Sequence, residues 1–427
     1  MSRHSIVLRA ATVVNPDDVF VASVGITNGV ISAVGGELVG DVEIDATGLN
    51  LSSGFVDLHT HLREPGKEEA ETIESGSRAA ALGGYTAVVA MPNTDPAQDN
   101  VATVEFVRAQ GIRAGLCDVY PSGCITVGRL GEDVAPLEQL SRVGVVIFTD
   151  DGSGVQNDEL MRRALVESRR VNVVLAQHCE KSDLTMGAVM HDGECCSHLG
   201  VPGWPAAAEI EMLTRDIALV RETGAPMHFL HLSTAESVEL VRQAKVEGLP
   251  ITAEVTPHHL SLEDSLLTGF DPVFKVNPPL RTRVDIVALQ QGLVDGVIDA
   301  VATDHAPHAG HTKEQPLDTA PPGMLGLETA LAVLNTAVSL DVQKIAEVMS
   351  WAPARIARIN QQHGRPIAVG EPANITVWDT TSGWTVSRES LASKSKNTPY
   401  HGMNVRGRVH HTILNGEIVV QNGKALK

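Results

Sequence analysis

Between Gly54 and Ile359 the chain alternates short runs rich in β-branched and small apolar residues with longer stretches of helical period, and this alternation restricts the fold more than any other feature. The candidate strands are Phe55 to His61, Tyr85 to Met91, Leu116 to Tyr120, Gly144 to Thr149, Val171 to His178, Met227 to Leu232, Ile251 to Thr256 and Ala300 to Thr303. Helical patterns separate most of them, among them Glu68 to Leu82, Asp158 to Arg169, Ala206 to Glu222, Ser233 to Val246 and Val284 to Leu293. Ser233 followed by Glu236 reads as a capping box that starts a helix directly after the sixth strand. Eight strand-then-helix units predict a parallel (β/α)8 TIM-like barrel, with an open doubly wound sheet as runner-up. No GxGxxG or GxxxxGK[ST] loop supports nucleotide binding on such a sheet.

The flanks read differently. Ile6 to Val14, Val19 to Ile26 and Val30 to Val34 are strand patterns, the last two joined at Asn28-Gly29, a strong two-residue hairpin signal. Ile375 to Asp379, and a hairpin from His411 to Val420 turning at Asn415-Gly416, repeat that grammar at the far end. Two β segments without helices predict a small discontinuous β-sandwich domain built from both termini. The expected boundaries are 1–53 and 363–427 for its two parts and 54–362 for the barrel.

Composition narrows the class of function. A chain of 427 residues with 43% hydrophobic and 20% charged residues reads as an ordinary globular protein with a large core. The formal charge of -19 argues against nucleic acid and anionic membrane surfaces as partners, although local arginines or a metal can still hold an anionic small molecule. No apolar run reaches the ~18 residues of a membrane span. The start of the chain lacks a signal-peptide layout, so a cytoplasmic location is expected. Cys117, Cys124, Cys179, Cys195 and Cys196 are too few and too irregular for a disulfide scaffold and are read as free thiols.

Barrel chemistry gathers at the carboxyl ends of the strands. The first strand, in GFVDLHTHLREPG, ends with His59 and His61; strict alternation would put Asp57 on their face and Val56, Leu58 and Leu62 on the other. The fourth ends in Thr149-Asp150-Asp151-Gly152, the fifth in His178, the sixth in His231 and the eighth in Asp304. Imidazoles and carboxylates without thiolate suit Zn(II), with Mn, Co or Fe as alternatives. Arg63, two residues beyond His61, suits bidentate capture of an anion beside the metal. Ala306 to Gly326 carries several prolines and glycines and no regular period, which predicts a lid-like loop at the barrel mouth. His258 and His259 have no evident metal spacing and are read as supporting residues. The histidines outside the strand-end set, such as His4, His191 and His363, are read as solvated or structural.

The set of HxH on strand one, a carboxylate on strand four, His on strands five and six and Asp on strand eight resembles the amidohydrolase superfamily. Within it, DLHTHLREPG, MPNTDP, TDDG, TPHHL, NPPLR and TDHAPH resemble the bacterial type I dihydroorotases through most of the barrel. The resemblance implies zinc-dependent, reversible hydrolysis of (S)-dihydroorotate to N-carbamoyl-L-aspartate, the third step of pyrimidine synthesis, with metal-bound hydroxide as nucleophile. It implies one or two Zn2+, two favoured: one held by His59, His61 and Asp304, the other by His178 and His231, with Asp151 bridging. Asp304 would also be the general base and acid. Arg63, Asn93 and His308 would meet the substrate carboxylate and Asn277 the ring; His61 would also contact substrate, and Pro322 and Gly323 would offer backbone groups.

One departure separates subgroups of the superfamily. Hydantoinases and some dihydroorotases bridge their metals with a carboxylated lysine from strand four, but here no lysine occurs between Lys67 and Lys181. Asp151 matches the type I position, and its neighbour Asp150 should point away. The competing readings are a hydantoinase-like or allantoinase-like cyclic amidase and an inactive scaffold for aspartate transcarbamoylase. A homodimer and a complex of an active enzyme with that transcarbamoylase are the partners compatible with the resemblance.

Overall fold

The computed structural model describes residues 3–427. Eight parallel strands form its centre: β1 (Phe55–Thr60), β2 (Tyr85–Ala90), β3 (Asp118–Pro121), β4 (Ile147–Thr149), β5 (Val174–Gln177), β6 (Met227–Phe229), β7 (Ile251–Val255) and β8 (Ala300–Val301). Ladders join β1 to β3 and β4 to β8. Two isolated parallel bridges, Gly123 with Phe148 and Thr60 with His305, complete the circle. At the second closure His61 N donates to His305 O at 2.8 Å. The ring is therefore a closed barrel and not an open sheet.

Two apolar layers hold it. Outward residues such as Phe55, Val88, Phe148, Leu175, Phe229 and Val255 share one cluster with helical residues such as Val104, Leu160, Met161, Met212, Val241 and Leu289. Val56, Leu58, Ala87, Val89, Met91, Ile147, Ala176, Leu230 and Ala300 form a second cluster with Ala354, Ile356 and Ile359. Alternate strand residues thus pack helices or fill the interior, as the pleat requires.

Helix starts differ from expectation where side chains compete for the first turn. The helix expected from Glu68 begins at Ile73, because Thr72 and Ser75 form a reciprocal cap there. After β6 the cap is Thr234, whose Oγ1 accepts from Ser237 N, and not Ser233. The Ser233 hydroxyl is engaged elsewhere, donating to the buried Glu209 carboxylate and accepting from Arg281 Nε at 3.1 Å. Val171 ends the helix Asp158–Val171 instead of opening β5, and Asn172 caps it in the left-handed region.

Strands from both ends of the chain form one nine-stranded sheet. Arg3–Val14 is its branching element: its first half pairs in parallel with Val39–Asp45 and its second with Asn50–Ser53. Neither of those two partners has a clear alternating pattern, and neither was expected. Asn28-Gly29 and Asn415-Gly416 are both tight turns with positive φ at each residue. Residues from the two ends, among them Leu8, Val13, Ile26, Leu51, Ile375, Val377 and Ile413, close one apolar core. All five cysteines are free. Among the described residues no helix is long and apolar enough to cross a membrane.

Candidate active site

The side chains that sequence spacing assigned to strand ends converge on one point. A register shift between Asp57 and Thr60 breaks the alternation of β1. Asp57 consequently does not join His59; its carboxylate accepts from His59 N and Thr303 N and ties β1 to β8. His59 Nε2 lies 3.4 Å from both Asp151 Oδ1 and Asp304 Oδ1. His61 Nε2 lies 2.9 Å from Asp304 Oδ1 and 3.5 Å from Asp151 Oδ2. On the other side of Asp151, its Oδ1 is 3.4 Å from His178 Nδ1 and 3.6 Å from His231 Nε2. Two groups that could hold a metal result, His59/His61/Asp151 and Asp151/His178/His231, with Asp151 in both. Asp150 turns away, its carboxylate accepting from Ile125 N and Thr126 N.

The hydrogen bonds behind these imidazoles decide which nitrogen faces inward with a lone pair. His59 Nδ1–H donates to Glu254 Oε1 at 2.9 Å, His61 Nδ1–H to Asn93 Oδ1 at 2.9 Å and His178 Nε2–H to Glu180 Oε2 at 2.8 Å. Each inner nitrogen is then an acceptor, set against carboxylate oxygens that are also acceptors. His59 Nε2 is buried without a hydrogen-bond partner. Acceptors facing acceptors in a buried space repel unless a cation lies among them. Bonds of about 2.0–2.2 Å in a tetrahedral shell also place ligand atoms roughly 3.3–3.5 Å apart, close to the spacing of several of these pairs. The donor set fits a divalent metal.

Glu254, His228 and Glu180 were missed from the sequence. Glu254 sits on β7 and accepts from His59 through Oε1 and from His228 Nε2, at 3.0 Å, through Oε2. Burial would push its carboxyl up, but the hydrogen bonds from His228 and His59 outweigh burial and hold it down at about 2. Glu180 Oε2 also accepts from Asn277 Nδ2 at 3.0 Å. The signal for Glu254 was a carboxylate in the middle of an apolar strand, ITAEV, where an unpaired charge could not be buried.

Above the cluster opens a cavity of about 220 Å³. Its wall contains His61, Arg63, Asn93, Asp151, His178, Asn277, Asp304, His308, Pro322 and Gly323, while His59 and His231 lie off it. Arg63 Nε donates to Pro307 O at 3.0 Å, and its Nη2 is 3.3 Å from His308 Nε2. That imidazole nitrogen is closer to Pro322 O, at 2.8 Å, and donates to it, so Nη2 keeps its protons for a ligand. Burial and the adjacent Arg63 drive the His308 pKa down to about 2, leaving the ring neutral. Arg63, His231 and Asp304 all have positive φ, at 62°, 28° and 46°. Such backbone costs about 1–3 kcal/mol per residue and persists where the surroundings over-determine it.

The loop after β8 departs from the sequence reading. It contains a short helix, Gly310–Lys313, and its far end pairs with its start through a His305–Met324 bridge. Lys275 Nζ donates to Leu317 O and Asp318 O, and Lys313 Nζ to Pro321 O. Gly323 is needed where it stands: a Cβ there would lie 2.7 Å from His308 Nε2 and 2.8 Å from Ala306 Cβ. His258 and His259 are buried; His259 bonds Thr256 Oγ1 and Pro278 O.

Comparison with known proteins supplies the family. A profile described as "Dihydro-orotase-like" matches residues 48–237. A dihydroorotase of Mycobacterium leprae is 50% identical over 388 residues, 90% of each chain. One of Mycobacterium tuberculosis is 49% identical over 409 residues, covering 93% of this chain and 95% of that one. The chain belongs to the dihydroorotase family. A solved L-hydantoinase of Arthrobacter aurescens superimposes with a TM-score of 0.88 at 25% identity, covering 99% of this chain and 98% of that one. A Brevibacillus agri dihydropyrimidinase gives 0.83 at 24%, over 98% and 96% of the two chains, and so shares the fold. This member of the dihydroorotase family therefore carries an amidohydrolase barrel, and His and Asp side chains able to bind metal lie at its mouth.

Proposed function

We propose that the protein is a cytoplasmic, zinc-dependent dihydroorotase that interconverts (S)-dihydroorotate and N-carbamoyl-L-aspartate. The observation that carries the reading is one cavity with acceptor-rich His and Asp clusters on its floor and, on its wall, Arg63, which has no carboxylate partner among the described residues. Asp151 belongs to both clusters, so two divalent ions would share it, with His59, His61 and Asp304 on one side and His178 and His231 on the other. When bound, divalent metal supplies Lewis acidity to the scissile carbonyl and lowers the pKa of water from 15.7 to about 7.

The rest is the work of this chain's side chains. Arg63 offers Nη2 to the substrate carboxylate, with the neutral His308 and Asn93 beside it. Asn277, on the cavity wall, donates Nδ2 to Glu180 and keeps an unpartnered Oδ1, which would accept from an N–H of the ring. Asp304 Oδ1 stands 2.9 Å from His61 Nε2 and 3.4 Å from His59 Nε2, beside the position where the attacking water would be held. As a carboxylate it takes the proton of the attacking water and passes it to the departing ring nitrogen. Every residue invoked belongs to this one chain.

The deciding experiment is metal analysis and a ring-opening assay on one preparation; metal-loaded protein that leaves dihydroorotate intact overturns the proposal. Arg63→Met separates this substrate from neutral cyclic amides. We expect dihydroorotate turnover to fall by about 10²-fold or more, the scale on which a buried charged hydrogen bond discriminates. Unchanged turnover would remove the carboxylate assignment. Glu254→Gln should weaken metal affinity 10–100-fold in chelator competition, since outer partners of ligand imidazoles act on that scale. Wild-type affinity would mean that Glu254 serves folding alone.

A further inference from the structure

Between its last two long strands, Ile375–Thr385 and Asn404–Leu414, the terminal sheet sends residues 391–400 back over the barrel mouth. This excursion lies outside the stretch that matches the family profile. One part of it grips the loop after β1: Lys394 N donates to Glu71 Oε1 at 3.0 Å and Ser395 Oγ to Ala70 O at 2.6 Å. Its next turn grips the loop after β8. Asn397 Nδ2 donates to Ala306 O at 3.0 Å and to Gly323 O at 3.1 Å, while its Oδ1 accepts from His308 N at 3.1 Å. Asn397 is 6% exposed, and its amide spends both protons and one acceptor on three backbone groups of one loop.

We infer that residues 391–400 are a specificity strap and that Asn397 is a positioning residue, fixing the loop around Pro307 and His308 on which Arg63 is anchored so that Arg63 presents Nη2 to the substrate carboxylate. The strap staples the two loops that carry the two sides of this corner. Arg63 lies on the loop after β1, and Arg63 Nε reaches across to Pro307 O, one residue from His308. Ala306 and Gly323 are the two feet of the intervening loop, and one amide holds both. No other side-chain type of that size provides two donors and an acceptor from one planar group, so aspartate in its place would set carboxylate oxygens against two carbonyl oxygens. Asn397 touches neither the metal-binding cluster nor Asp304, so its effect should fall on binding and not on the proton transfers.

This inference rests on the dihydroorotase reading, and the test keeps the two apart. Wild-type, Asn397→Asp and Asn397→Ala are purified with metal, and kcat, KM, metal content and Tm are measured for each. The expected result is a KM for dihydroorotate raised at least 30-fold in both variants, kcat within threefold of wild type and metal content unchanged. Should the alanine variant fail to fold, the near-isosteric aspartate variant carries the measurement. A wild-type KM in either variant, or a fall in kcat at constant KM, overturns the strap while leaving the dihydroorotase reading intact. An inactive wild type overturns that reading and the strap with it.

Discussion

Asp304→Asn should lower kcat for ring opening by about 10²–10⁴-fold, the usual contribution of a positioned general acid or base, while any metal held by Asp151, His178 and His231 should stay bound. The amide keeps the size of the carboxylate, so the β8 end and its left-handed backbone have no steric reason to move. What it loses is the ability to take a proton from water and return it to nitrogen. Asp304 stands with His59 and His61 and apart from the Asp151/His178/His231 group, so loss of the proton transfer can be read while metal at that second group is retained. Steady-state kinetics and metal analysis on the same sample check it. A variant as active as the parent would remove Asp304 from the reaction.

Asp151→Ala should be more damaging to the metal than any single histidine change. Its two oxygens serve both clusters: Oδ1 faces His59, His178 and His231, and Oδ2 faces His61. Without it, two sets of inward lone pairs lose their common anionic partner. We expect metal affinity to fall more than about 100-fold, beyond the range for an outer partner, with activity falling to background. His231→Ala, which removes a ligand from one cluster only, should retain more metal per chain. If Asp151→Ala and His231→Ala bind metal alike, Asp151 is no bridge.

Several features of the site were legible because they follow from periodicity. Strand ends in a barrel point to one mouth whatever the helices outside do, so His178 and His231, far apart in the chain, could be grouped before any coordinates. Asp150 and Asp151 could be told apart because neighbours on an extended chain face opposite ways. The same rule failed at Asp57, where a bulge shifts the register of β1. A bulge has no signature in the alternation of FVDLHT, since it is set by how β1 must meet β2 and β8 at once. Ser233 failed as a cap for a similar reason: Glu209 and Arg281, distant in the chain, take its hydroxyl.

The chain's own periodicities therefore determined the class of fold, the paired hairpins at its ends and the types of side chain at the barrel mouth, because strand and helix periods are local and turn residues carry their own conformational preference. The tertiary structure alone decided which imidazole nitrogen faces inward, through Glu254, Asn93 and Glu180, and how residues 391–400 reach the loops over the cavity. Apart from His178 with Glu180, those contacts join residues 32 or more positions apart. Their hydrogen bonds depend on distances and directions that exist only once the barrel has closed, and no local pattern encodes a distance across a ring.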